Sequence, residues 1–202
     1  MLNAPQSYTI IVTLAVCVVD AAVDTYLFLR LKELGGGGYL MGSAAVVQIA
    51  SEIPCFYYSG ALYTLFGCRW LQLTSLILYG VRQLWYSFDW HSAWWCGLPA
   101  ELLHGVTYSI FNSATTTFMQ ETAPPDLAVT AQAVLSSAQS GVGSGLASVV
   151  AGELYQRFGS RTMYRYCGVS MLGAAIVFSL CGAFVDAFAV RRSKQKGTIR
   201  TV

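Results

Sequence analysis

Charge is what this sequence has least of. Charged residues make up 11% of its 202 positions and apolar residues 55%, where an ordinary soluble domain carries roughly 25% charged residues. So few charges cannot cover the surface of a soluble fold, but a lipid-facing surface needs none. A basic stripe is also missing. Five of the twelve basic residues (Arg191, Arg192, Lys194, Lys196, Arg200) stand in the last dozen positions and the rest are scattered, so nucleic acid is not an expected partner.

Other absences exclude other chemistries. The six cysteines form no C-x-x-C pair and mostly fall inside apolar runs. They read as polarizable packing residues, and no metal site or cofactor is expected from them. No positive charge precedes the first apolar stretch, which is too long for a signal-peptide core and contains two acids, so it reads as a mature span. The sequence Gly168-Val169-Ser170 is the only G-x-S, and no histidine follows it to serve as base. An intramembrane serine protease is thereby excluded, and no enzyme is expected. Asn-Pro-Ala motifs, which a water channel would want, do not occur.

What is present is long apolar runs. Crossing a hydrocarbon core of about 30 Å takes about 20 residues. Runs of that length lie at about 8–31, 40–66, 70–88, 93–121, 127–156 and 163–190, and residues 191–202 form a polar, basic tail expected to be disordered. The breaks between them hold turn chemistry: Gly35 to Gly38, Gly67-Cys68-Arg69, Asp89 with His91, Pro124-Pro125-Asp126, and Gly159-Ser160-Arg161. The expectation is an all-α membrane protein with six transmembrane helices. An even number of crossings puts both termini on one side. Loop charges divide almost evenly, Arg69 and the tail against Arg30, Lys32, Arg157, Arg161 and Arg165. The basic tail tips both termini toward the cytoplasm.

The sequence also repeats itself. Gly60-Ala61-Leu62-Tyr63-Thr64-Leu65-Phe66-Gly67-Cys68-Arg69 and Gly152-Glu153-Leu154-Tyr155-Gln156-Arg157-Phe158-Gly159-Ser160-Arg161 agree at six of ten positions in register. Each copy should end a helix, turn on glycine, and offer an arginine to helix-terminal carbonyls or lipid headgroups. The copies lie three spans apart. Three is odd, so they face opposite sides of the membrane, as in a 3+3 inverted repeat.

This decapeptide resembles the G-x-L-x-D-R-x-G-R-R signature of the major facilitator superfamily. The first copy departs from it, with Thr64 at the acid position and Leu65 and Cys68 where basic residues are usual. Ser51-Glu52-Ile53-Pro54, the run Glu101 to Thr107, Ala123-Pro124-Pro125 and Thr130-Ala131-Gln132 are similar to the branch holding the nucleoside:proton and oligosaccharide:proton symporters and the vertebrate domain-containing protein 6 group. The resemblance implies the carboxyl-terminal half of a major facilitator fold, with spans 1, 2, 4 and 5 lining a cavity and spans 3 and 6 outside. It also implies secondary active transport, with proton-coupled symport of a small polar solute as the expectation. A second six-helix half, as a homodimer or a separate chain, would be needed to close the cavity. The competing readings are a non-transporting receptor-like or assembly protein on the same scaffold, which the departures in the first copy favour and the buried acids oppose, or a truncated fragment.

Ionisable groups at membrane depth cost ~2.5–3.5 kcal/mol on insertion scales and so mark interiors or cavities. Asp20 and Asp24 are four residues apart, on one helix face. Two carboxylates that close do not both ionise easily in low dielectric, which suits proton coupling; a structural, salt-bridged pair is the alternative. Glu101 and His104, three apart, can touch. Glu52 stands beside Pro54, which is expected to kink its helix. Depth along the spans puts Asp24, Arg82, Glu101 and His104 in one leaflet, with snorkelling to the headgroups an alternative for Arg82. These five, Asp20, Asp24, Glu52, Glu101 and His104, are the proton-coupling candidates. Arg82, Asn112, Gln132 and Gln139 are the cavity candidates, though the last three would serve equally as cross-helix hydrogen bonds. Gly60, Gly67, Arg69, Gly152, Gly159 and Arg161 are the gating-loop candidates. Ser136, Ser140, Ser144, Ser148 and Gly152 recur every fourth position, with a second row at Ser137, Gly141 and Gly145, and read as helix packing faces. Trp85, Trp90, Trp94 and Trp95 read as an interfacial belt.

Overall fold

A computed structural model describes the backbone of residues 4–88 and 94–199 and the side chains of residues 10–88 and 95–182. Asp89, Trp90 and His91 lie outside the described residues, as do the side chains of Trp94 and of the basic tail. The described backbone is helical apart from short turns at 34–37, 87–88 and 123–124, with no strand among the described residues. It comprises α1 (Ala4–Glu33), α2 (Gly38–Tyr86), α3 (Leu98–Thr122), α4 (Ala128–Ser136) and α5 (Ser144–Ile199). A 3-10 turn at Trp94–Gly97 leads into α3, another at Pro125–Leu127 leads into α4, and a π-helical segment, Ser137–Gly143, joins α4 to α5.

Glycine makes the corners. At the end of α1, Gly35 takes φ 90°, its amide donates to Lys32 and the Gly36 amide to Leu31. This is a Schellman closure. Gly36 has no alternative there, because a Cβ would stand 2.3 Å from Leu40 and 2.9 Å from the Leu31 carbonyl.

α2 and α5 run to 49 and 56 residues. At 1.5 Å rise per residue each exceeds twice the ~30 Å hydrocarbon thickness. Both are broken inside: Gly67 has φ 74° and ψ 162°, and Gly159 has φ 77° and ψ 166°. Each therefore consists of two limbs, 38–66 and 68–86 in α2, and 144–158 and 160–199 in α5. Pro54 lies inside the first limb of α2, and the non-helical torsion in that helix is at Gly67. α5 continues as helix past residue 190 to Ile199.

Three stretches are long and apolar enough to cross a membrane by hydropathy: Ile10–Glu33, Gly38–Tyr86 and Pro125–Gly182. α3 is not among them, because Glu101, His104 and several threonines and serines lower its hydropathy while facing inward. Large apolar side chains such as Tyr39, Leu65, Val129 and Val149 stand exposed on the outside, which suits lipid and not water.

Packing is closest where side chains vanish. A Cβ on Gly105 of α3 would lie 1.8 Å from Ser51 Oγ and 2.6 Å from the Gln48 carbonyl of α2. A Cβ on Gly143 would lie 3.1 Å from Cys17 Cβ of α1. Between the second limbs of α2 and α5, Gly80 admits Leu172 and Gly168 admits Leu84. The small-residue row that packs is Gly143, Ala147 and Ala151, all buried. Ser136, Ser140 and Ser148 are exposed, as are Ser137, Gly141 and Gly145. The serine row expected to form a packing face therefore lies one position off the face that does.

Candidate functional site

The second limb of α2 presents Tyr79, Arg82, Gln83 and Tyr86 on one buried face, at the helical spacing i, i+3, i+4, i+7. Arg82 is 0% exposed, so it does not snorkel. Its guanidinium lies 3.6 Å from Asp20 Oδ1, 3.1 Å from Asp24 Oδ1 and 3.4 Å from Glu101 Oε1. The planar fork suits this task, since it can serve several carboxylates at once where an ammonium is a point charge. Tyr86 places its ring 5.9 Å from the Arg82 carbon and donates its hydroxyl to Glu101 Oε1.

His104 lies one turn beyond Glu101 on α3, across from the α1 acids. Its Nδ1 is 3.9 Å from Asp20 Oδ1 and its Nε2 3.8 Å from Asp24 Oδ2. The ring stacks on Tyr108 at 5.8 Å and meets the edge of Tyr79 at 6.2 Å. Asp20, Asp24, Arg82, Glu101 and His104 are thus one cluster drawn from α1, α2 and α3. Three carboxylates face one guanidinium, so with all of them ionised and His104 neutral the cluster is two positive charges short. Several of its buried atoms have no hydrogen-bond partner: Asp20 Oδ1, Arg82 Nε and Nη1, Glu101 Oε2 and His104 Nδ1. Buried polar atoms are normally hydrogen-bonded; here Arg82 Nη1 and Asp20 Oδ1 face each other as an ion pair at 3.6 Å instead. The Asp24 side chain is 41% exposed and opens the cluster to the outside of this chain.

Glu52 is not part of it. It accepts a bond from Gln48 Nε2 at 3.1 Å on the first limb of α2 and makes no ion pair with the cluster among the described residues. Gln132 Nε2 donates to the Thr116 carbonyl at 2.9 Å, and Gln139 Nε2 reaches Asn112 Oδ1 at 3.5 Å. All three amides thereby bridge α3 to the α4 and π-helical segments.

The repeated decapeptide lies at the two breaks. After the first, Arg69 donates to the Ser179 carbonyl at 3.1 Å and fills the space beside Gly182. Arg161 follows the second break at an exposed position. Gly60 has open space beside it, and Gly152 lies under the Tyr26 hydroxyl. The tyrosine of each copy holds a helix end: Tyr63 donates to Glu121 Oε2 at 2.7 Å at the end of α3, and Tyr155 donates to Glu33 at the end of α1. Ser160 also donates to Glu33. Arg30 joins the same corner, reaching the Tyr86 carbonyl at 3.1 Å, Phe88 at 3.0 Å and Ser160 at 3.3 Å. Counting loop charges missed this corner. Only the acid at each helix end hinted at it.

Long apolar helices around a buried, charged cluster define an integral membrane protein on a transporter-type scaffold. The chain belongs to the MFS_1 like family, whose model matches residues 1–166. Its relatives include the major facilitator superfamily domain-containing protein 6-like protein A of Xenopus laevis, 26% identical over 162 residues, covering 80% of this chain and 26% of that protein. The corresponding Homo sapiens protein is 27% identical over 165 residues, covering 79% of this chain and 27% of that one. The chain thus matches about a quarter of the length of these relatives. No solved structure matches significantly.

Proposed function

We propose that this chain is one six-helix half of a proton-coupled secondary carrier for a small polar solute, completed by a second half. The observation that carries the reading is the buried contact of Arg82 with Asp20, Asp24 and Glu101 beside His104. Unbalanced carboxylates in low dielectric take up protons or cations, and a carrier couples that uptake to solute movement.

The six crossings in this reading are about 8–31, 40–66, 70–88, 93–121, 127–156 and 163–190, with the second and third and the fifth and sixth divided at the two glycine breaks. They are arranged as a 3+3 inverted repeat, with 191–202 as the basic tail. Exchange of contacts supports the repeat. Moving α1 onto α3 by 88 residues and α2 onto the α4–α5 rod by 92 turns the pair Tyr63–Glu121 into Tyr155–Glu33. The same shifts turn Ser51–Gly105 into Gly143–Cys17. A contact that survives exchange of the two units is what a two-fold relation requires. The exposed serine and glycine rows on the fifth crossing would allow a second half to approach closely. Both termini are assigned to the cytoplasmic side on the basic tail.

The test is uptake of a radiolabelled nucleoside and a radiolabelled disaccharide into cells expressing the chain, alone and with candidate first-half chains, at acid and at neutral external pH. Uptake should rise with an inward proton gradient, and Asp24→Asn or Glu101→Gln should abolish that dependence. Uptake indifferent to both substitutions would overturn proton coupling. No uptake of either probe in any combination would favour a receptor-like role.

A further inference from the structure

We propose that Asp20, Asp24 and His104 form a binding site for a first-row divalent transition cation. The proposal rests on the same cluster as the carrier reading and names the ion that would take the place of protons there. One ligand atom from each of the three residues lies within 4.8 Å of the others. His104 Nδ1 stands 3.9 Å from Asp20 Oδ1, and the other ring nitrogen, Nε2, stands 3.8 Å from Asp24 Oδ2. Those separations exceed a hydrogen bond. An ion takes one of the two ring nitrogens. A separation of 3.8–3.9 Å between a ring nitrogen and a carboxylate oxygen suits two ligand atoms that share an ion about 2.0–2.2 Å from each. The other carboxylate offers an oxygen within 4.8 Å of those ligand atoms.

Three further observations point to a ligand. His104 is 2% exposed, yet its Nδ1 has no hydrogen-bond partner, and neither has Asp20 Oδ1, which lies 3.9 Å from it and is ion-paired to Arg82. Charge supplies the second. Arg82 offsets one of three carboxylates, and a divalent cation supplies the two charges that are lacking. The third is the way the ligands are held. Arg82 binds Asp24 through Oδ1 and leaves Oδ2 facing His104. Tyr108 stacks on the ring and Tyr79 meets its edge, which limits the rotation of His104. One imidazole with two carboxylates favours manganese, cobalt or zinc over magnesium or calcium, which prefer oxygen alone. Three protein ligands leave a position open to water or to a solute, on the side where Asp24 is exposed.

The experiment titrates the full chain in lipid nanodiscs with Co²⁺ and follows its visible d–d absorption, with Zn²⁺ as competitor. Wild type should saturate at one Co²⁺ per chain. Asp24→Asn and His104→Gln should each weaken binding by at least about tenfold, and Glu153→Gln, at an exposed site on α5, should leave it unchanged. Metal-free melting shows whether each variant folds; Asp24→Asn, at the open edge, keeps the test valid if His104→Gln does not. Absence of saturable binding, binding by Asp24→Asn equal to wild type, or thiolate-to-cobalt bands that move the site to cysteine would each overturn the proposal. Proton-dependent uptake in metal-free medium would leave the carrier reading standing when this one falls.

Discussion

Gly67 and Gly159 hold the same backbone conformation, φ 74° and ψ 162° in one and φ 77° and ψ 166° in the other. Both occupy the same place in the repeated decapeptide, four residues after the tyrosine that holds a helix end. That region of torsion space is essentially closed to residues with a Cβ. The repeat is therefore a repeat of geometry: a helix breaks at glycine and restarts, with a Tyr–Glu bond beside the break.

Alanine at either glycine should cost about 1–3 kcal/mol from backbone strain alone, since nothing lies within 4 Å of the added carbon in either place. Gly145→Ala, on a helix with open space beside it, should be neutral or stabilising by up to about 1 kcal/mol. Melting midpoints of the three variants in detergent check this. Equal midpoints would mean that the breaks adapt without strain.

Gly105→Ala should be worse than an ordinary overpacked variant. Its Cβ would meet Ser51 Oγ at 1.8 Å, the Gln48 carbonyl at 2.6 Å and the Glu52 amide at 2.9 Å. Overpacking costs about 1–3 kcal/mol when side chains can move aside, but two of these three neighbours are backbone. Ser51→Ala should therefore rescue the variant only in part. Full rescue in the double variant would show that the hydroxyl, and not the crossing distance of α2 and α3, sets the limit.

How much of this was legible in the sequence follows from how far each signal reaches along the chain. Asp20 with Asp24, and Glu101 with His104, are neighbours by helical spacing, and depth along the spans placed Arg82 level with Asp24, Glu101 and His104. Which carboxylates Arg82 takes is tertiary, and no spacing prints it. Tyr79 and Tyr86 stayed hidden because an aromatic on an apolar helix looks the same facing lipid as facing a charge. The glycine corners were readable from the repeat. The row that packs within the chain, Gly143, Ala147 and Ala151, was not singled out because alanine, glycine and serine occupy nearly every face of that segment, so periodicity could not choose one.

Removing Arg82 should leave Asp20, Asp24 and Glu101 facing one another without a counter-charge. Arg82→Ala is expected to cost about 3–5 kcal/mol, the usual result of stripping one partner from buried ions. The deficit should shrink as pH falls, because protonation discharges the stranded carboxylates. Arg82→Lys keeps the charge but loses the fork, so it should fall between wild type and alanine. Thermal melts of all three proteins across a pH series decide the matter. A deficit independent of pH would mean that Arg82 acts through packing and not through charge.

Glu33 and Glu121 give the sharpest test of the inverted arrangement. Each ends a helix and accepts from the tyrosine of one repeat copy. If the two units are related by a two-fold axis in the membrane plane, these carboxylates lie on opposite faces of the bilayer. A parallel repeat, or a chain whose long rods lie along the surface, would put both on one face. Replacing the six native cysteines and introducing Glu33→Cys or Glu121→Cys singly gives two reporters for a membrane-impermeant maleimide. One should react in sealed right-side-out vesicles and the other only in inverted ones. Reaction of both from the same side would remove the inverted repeat and, with it, the six-crossing topology on which the carrier reading depends.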